Sequence, residues 1–500
     1  MVPPVVAYKT LETRFHRIAL LSEATSVLNW DAATVMPQGG ATARGAQLAE
    51  LRAVTHGLIT APDIGDLIAE AEENINELDG WQKANLREMA HIRLKANSVP
   101  EDLVVASSRA CSICETTWRE ARAEADFPAV KPALQEVLNL TRKVGQAKAE
   151  ATGLSLYDAL LDDYEPGGRS ANIDQLFTKL RHFLPDFIQR VVDRQQAFPP
   201  SQKPIGPFSI SKQKSLAKKF MAAFGFDFNH GRLDVSLHPF CGGIPEDVRV
   251  TTRYDEGDFT SSLMGVLHET GHALYERGLP LPWRRQPVGE ALGMGFHESQ
   301  SLLIEMQVCR SREFLEWAVP IMKEIFLGSG PAWDINNVYR LYTRVEPSFI
   351  RVDADEVTYP AHIILRYQLE RALLNRDLTL NELPTAWNDG MGDLLGITPP
   401  SDREGCLQDL HWYDGAWGYF PTYTIGAMTA AQLFDAAKYQ DTSIEPSIAE
   451  GNFQPLLAWL SNNIHSKARL LNGPNLLINA TGKSLDPDVF ERHLRARYDC

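Results

Sequence analysis

His268, Glu269, Thr270, Gly271 and His272 form an HExxH pentapeptide. On an α-helix, residues four apart share a face, so the two imidazoles can grip one metal ion while Glu269 stays beside it. Zinc in hydrolases takes three protein ligands and leaves a fourth position to water, whose pKa falls from roughly 15.7 to about 7. Glu269 is placed to take a proton from that zinc-bound water as it attacks a carbonyl, and then to pass it to the leaving amine. A peptide bond suits this arrangement. The third ligand must come from elsewhere. His297-Glu298 follows on what reads as another helix, and Glu298 competes with Glu276, Glu290 and Glu305 for the role.

The elements that must position these groups are legible around them. Asp258 or Thr260 can cap a helix whose apolar residues include Leu263, Met264, Val266 and Leu267, and which stops at Gly278 before Pro280 and Pro282. Gly271 in its interior costs about 1 kcal/mol relative to Ala, and reads as leaving room beside the metal. Upstream, Leu233 to Phe240 and Asp247 to Tyr254 alternate as strands do. The turn-rich CGGIPE joins them, which predicts a small antiparallel sheet next to the HExxH helix. Downstream, a helical stretch from about Glu290 to Trp317 carries His297 and Glu298. The first two hundred residues read as helix after helix, among them Tyr8 to Asn29, Thr42 to Val54 and Ile173 to Gln196. A Pro-rich break, Pro199 to Phe208, separates this half from the rest. The predicted fold is mainly α and two-lobed: one peptidase domain over 1–500, with a helical lobe at 1–198 and a lobe at 209–500 that carries the zinc site.

Composition narrows the function classes. A 500-residue chain with 44% hydrophobic and 23% charged residues is ordinary for a globular protein with a large core. A net charge of -15 argues against nucleic acid or an anionic membrane as partner, and no apolar run of about 20 residues predicts a membrane helix. Six scattered cysteines and the lack of a secretory leader pattern predict a reduced, cytoplasmic protein. Cys111 and Cys114 lie one helical turn apart and read as small apolar residues, without a second CxxC to make a metal site. The ATGKS run at Ala480 to Ser484 fails as a phosphate loop, because Leu477 stands where the first Gly is needed.

Several further blocks carry a resemblance. WDAATVMPQGG begins at Trp30; His238-Pro239-Phe240 and Asp247-Val-Arg249-Val-Thr251 precede the HExxH; His297-Glu298-Ser299-Gln300 follows it. Then come Ile350-Arg351-Val-Asp-Ala354-Asp355, Gly405-Cys-Leu-Gln408-Asp409-Leu-His411-Trp412 and GYFPTY at Gly418 to Tyr423. In this order, over nearly the whole length, they resemble the thermostable carboxypeptidase Taq family of zinc metallocarboxypeptidases. The resemblance implies one zinc per subunit held by His268, His272 and Glu298, Glu269 as general base, and removal of single residues from peptide C-termini. It also implies a helical fold with a deep central cleft, and a homodimer. Departures lie at Ser301 to Met306, at Trp417 and at Ala427, where the family usually carries other residues.

An enzyme that reads chain ends needs a cation for the free carboxylate, and the planar fork of Arg suits it. Arg351 is the matching position, with an ion pair to Asp353 or Asp355 as the structural alternative. Arg249 and Arg253 compete, sharing strand parity with Thr251. His238, near the end of the first predicted strand, is either a site residue or a buried structural histidine. Of the aromatic stretch from His411 to Tyr423, most rings read as core, and His411 and Tyr423 are the candidates for substrate contact. A zinc oligopeptidase with the same centre, and a catalytically silent metal-binding protein, are the alternative functions. The retained Glu269 speaks against the second. The same ligand set could take cobalt in place of zinc.

Overall fold

A computed structural model describes residues 6–499 and is built mainly of helices; Cys500 lies outside the described residues. The other five cysteines are free thiols. No helix among the described residues is long and apolar enough to cross a membrane. The expected helices are present and somewhat longer than their periodicity marks, at Val6–Thr34, Ala41–Thr60 and Ser170–Gln196. In the last of these, Ile173, Phe177, Leu180, Leu184, Phe187 and Val191 are all buried, at the three- and four-residue spacing that makes one apolar stripe. The Pro-rich segment runs as irregular chain from there to the Ile210–Ala223 helix.

Two large apolar clusters organise the core. One joins Phe177 and Leu184 to Ile363, Leu373, Trp387 and Phe490, so it draws on chain from both sides of the Pro-rich segment. The other packs Leu263, Leu267 and Tyr275 of the HExxH helix against Leu303, Phe314 and Leu433. A cleft of about 730 Å³ opens where they meet, with Met264 and Leu302 on one wall and Tyr359 and Tyr423 on the other.

The sheet corrects the expectation of an antiparallel pair. It has three strands, β1 (Gly231–Val235), β2 (Cys241–Ile244) and β3 (Asp247–Thr252), in the order β1-β3-β2. The hairpin joins β2 to β3, with Ile244 opposite Asp247, whereas β1 runs parallel to β3, with Gly231 opposite Val248 and Val235 opposite Thr252. The first strand ends at Val235 because the chain turns there. The buried Thr251 hydroxyl accepts from Ser236 Oγ at 2.7 Å and from the Phe240 backbone N–H at 3.0 Å, which pins residues 236–240 as the crossover that a parallel pair requires. Val248 and Val250 of β3 pack with Val266 and Ala273, so the sheet backs the HExxH helix. Trp30 lies between Arg232 and Arg249, whose Cζ atoms are 5.0 and 4.2 Å from its ring centroid, and so clamps the first helix onto the sheet.

Candidate metal centre

The HExxH residues lie in the middle of the Phe259–Gly278 helix, and the Asp258 carboxylate caps it by accepting from Thr260 N–H at 2.9 Å. Gly271 has a different task from the one its sequence suggests. A Cβ there would sit 2.5 Å from the Gln300 carbonyl oxygen and 2.6 Å from Ser301 Cα, so the glycine permits close crossing by the helix that carries Glu298. That helix, Met294–Leu302, is pinned at its start by Glu165, whose Oε2 accepts from Gly295 N–H at 2.9 Å. The stretch expected as one helix to Trp317 breaks here: Leu303–Val308 is a π-helical turn, and a new helix starts at Arg312. The π turn widens the backbone and redirects its side chains.

His268, His272 and Glu298 bring their donor atoms together, all within 4.8 Å of one another. Glu298 lies 4.0 Å from His268 Nε2 and 3.5 Å from His272 Nε2. Ligand atoms that share one tetrahedral ion at about 2.0–2.1 Å stand roughly 3.3 Å apart, so the set fits an ion after a small contraction. Two nitrogens and one carboxylate also leave a fourth position open.

Of the carboxylates that compete for the third ligand on spacing alone, Glu305 and Glu276 bond to imidazoles instead. Glu305, on the π turn, accepts from His268 Nδ1 at 3.0 Å and from Arg310 Nη2 at 2.9 Å. His272 Nδ1 meets His297 Nδ1 at 2.6 Å, and His297 Nε2 meets Glu276 at 2.8 Å. An ion held through both Nε2 lone pairs would leave His272 Nδ1–H to donate to His297, which would carry its own proton on Nε2 and donate it to Glu276. In that state each of the two imidazoles would be fixed in one tautomer by a carboxylate, directly or through a relay. Glu290 stands apart, facing Arg469.

The electrostatics match a cation site. Burial opposes a charged imidazole at His268, yet Glu298 and Glu305 outweigh it and hold its pKa up to about 10. Burial raises Glu298, but His268 and His272 overcome this and bring it to about 2. Glu269 lines the cleft at 7% exposure, and desolvation lifts it to about 7.

Arg351 lines the same cleft, at 6% exposure. Its partner is neither Asp353 nor Asp355, since Asp355 caps its own turn at Val357 and Thr358. Arg351 Nε donates to Asp409 Oδ1 at 2.8 Å and Nη1 to the Tyr359 hydroxyl at 2.9 Å, while Nη2 has no protein acceptor among the described residues. Arg249 is paired to Asp247 and stacked on Trp30, and Arg253 is exposed past the end of β3; neither lines the cleft. His238 sits in the exposed crossover and so is not a buried structural histidine; its neighbour Pro239 reaches the cleft wall in its place. Tyr423 lines the cleft, and His411 Nε2 lies 3.2 Å from its hydroxyl. Burial brings His411 down to about 4, so it is neutral at neutral pH. Glu276, Glu305, Asp409 and Tyr359 are the supporting residues that sequence reasoning assigned to other roles or passed over. The i+4 spacing of His272 and Glu276 was the one local signal for them.

The model of the carboxypeptidase Taq (M32) metallopeptidase family matches residues 10–498. Thermostable carboxypeptidase 1 of Thermus thermophilus is 36% identical over 99% of both chains, and carboxypeptidase 1 of Bacillus subtilis 34% over 96% of both. Among solved structures, Trypanosoma cruzi metallocarboxypeptidase 1 superposes with a TM-score of 0.97 at 41% identity, covering 99% of each chain. A Pyrococcus furiosus carboxypeptidase superposes with 0.93 at 32%, covering all of both. A full-length match of this kind, around a helix-borne His-His-Glu set, places the chain in the carboxypeptidase Taq (M32) family of metallopeptidases, as a metallocarboxypeptidase.

Proposed function

We propose that this metallocarboxypeptidase is zinc-dependent and releases single amino acids from the C-termini of peptides. His268, His272 and Glu298 would hold the ion, which when bound supplies Lewis acidity to the scissile carbonyl and to a water; cobalt suits the same donors. Glu269 takes the proton from the attacking water and delivers it to the leaving amine. His411 and Tyr423 act on the carbonyl side. His411 Nδ1 is buried without a partner, which costs less as a bare acceptor than as a stranded N–H. Its proton therefore sits on Nε2 and is donated to the Tyr423 oxygen, which frees the Tyr423 hydroxyl proton for a developing oxyanion.

The observation that carries exopeptidase specificity is Arg351, a cation in the cleft wall with one arm unspent. Its Nη2 is available to a substrate carboxylate one residue beyond the scissile bond. His238 borders the rim through Pro239 and contacts longer substrates there. The free thiols are consistent with a cytoplasmic, reducing setting, and the family resemblance supports a homodimer. The test is a blocked dipeptide against its C-terminal amide, with wild type and Arg351→Met. The acid should be cleaved and the amide spared by wild type, and the preference should collapse in the variant. Equal cleavage of acid and amide by wild type would favour the oligopeptidase reading.

A further inference from the structure

Asp409 is shared. Its Oδ1 accepts from Arg351 Nε at 2.8 Å and its Oδ2 from Arg366 Nε at 2.6 Å. Arg366 is wholly buried at 0% exposure, with its Cζ 4.5 Å from the Trp387 ring centroid and a second arm donating to the His362 carbonyl oxygen. It reaches no surface and cannot touch a substrate. Two guanidinium groups therefore share one carboxylate. The nearby imidazoles do not alter the count, since burial keeps both His362 and His411 neutral. The cluster carries one uncompensated positive charge, on the side where Arg351 meets the cleft.

Such a charge is costly to bury unless an anion completes it. A lone Arg351–Asp409 pair would be neutral, and an incoming carboxylate would meet Asp409 as much as Arg351. With Arg366 occupying the other oxygen of Asp409, the substrate carboxylate becomes the second anion of a two-to-two cluster. We propose that Arg366 is a positioning residue that sets affinity for the substrate's free C-terminal carboxylate, by taking half of Asp409 and leaving Arg351 one net charge to offer. The inference rests on the reading of Arg351 given above.

The test is charge arithmetic with the blocked dipeptide acid and its amide. Arg366→Met leaves the cluster neutral, and KM for the acid should rise roughly 10- to 100-fold, the range for losing a charged hydrogen-bond partner. Turnover at saturation and metal content should change little. Adding Asp409→Asn restores the net charge, so the double variant Arg366→Met/Asp409→Asn should recover part of the lost KM. A scaffold role for Arg366 predicts the opposite, because a second buried partner has been removed. Arg366→Lys, which keeps the charge, should stay near wild type. If Arg366→Met does not fold, Arg366→Gln takes its place in the same comparison. An unchanged acid KM in the single variant, or a further rise in the double, overturns the proposal. If Arg351→Met itself keeps the acid preference, the reading of Arg351 fails first; if only the Arg366 variants keep it, the failure is of this inference alone.

Discussion

Gly271→Ala should damage this protein although it raises helix propensity. In an unobstructed helix the change is worth up to about 1 kcal/mol in the variant's favour. Here the new Cβ would lie 2.5 Å from the Gln300 carbonyl oxygen and 2.6 Å from Ser301 Cα, against an ordinary limit near 3.4 Å. Both atoms are backbone, so no rotamer change relieves the clash, and the Met294–Leu302 helix must retreat by roughly 0.9 Å, the difference between those distances. Overpacking of this kind costs about 1–3 kcal/mol, which leaves a net loss of up to about 2 kcal/mol. The retreat also carries Glu298 away from His268 and His272, where about 0.5 Å is the tolerance of a working site. Metal affinity should fall at least tenfold, about 1.4 kcal/mol. Gly265→Ala, on the same helix, is the control: its nearest neighbour is Pro239 Cγ at 3.9 Å, so propensity acts alone. Thermal unfolding with and without excess zinc reads both terms, since bound metal stabilises according to its affinity. Should Gly271→Ala match Gly265→Ala in midpoint and in zinc response, the close crossing is not what this glycine is for.

Glu269→Gln should keep its zinc and lose turnover by roughly 10²- to 10⁴-fold, read by metal analysis beside kcat. Glu305→Gln weakens the hold on His268 Nδ1–H and should lower zinc affinity about 10- to 100-fold in chelator competition. His465 is buried, with Nε2 3.0 Å from Gln300 Oε1, and its pKa is brought down to about 3 by burial. The unfolded chain, with an ordinary value near 6.5, binds the extra proton, so stability is full above about pH 6.5 and is lost as pH falls toward 3. The slope from this one group is about 1.4 kcal/mol per pH unit, and thermal midpoints of His465→Gln should lack it.

What was legible in the sequence was what is local. Four-residue periodicity puts His268 and His272 on one helix face with Glu269 beside them, and apolar spacing marks the helices around them. The family resemblance singles out Glu298, whereas spacing places it on a helix without separating it from Glu305. That separation depends on a π turn that spacing arguments built on 3.6 residues cannot anticipate. The partner of Arg351 was sought among Asp353 and Asp355 and lies at Asp409, across a long loop closure that no window reveals. The parallel β1–β3 pair escaped for the same reason: CGGIPE announces a hairpin, but nothing local states which edge of β3 the earlier strand joins.

The π turn also has a consequence for the order in which the protein is made. Its Gln307 carbonyl accepts from Arg497 Nη2 at 2.9 Å, 190 residues downstream, and Arg497 Nη1 donates to the Met306 carbonyl. Glu356 ties down His493, Arg497 and Tyr498 beside it. The strut behind Glu305, and through it the aim of His268, is therefore absent from a nascent chain until residues 493–498 have left the ribosome. A chain that stops short of residue 493 carries HETGH in full and lacks the braces that Arg497 gives to the π turn behind Glu305.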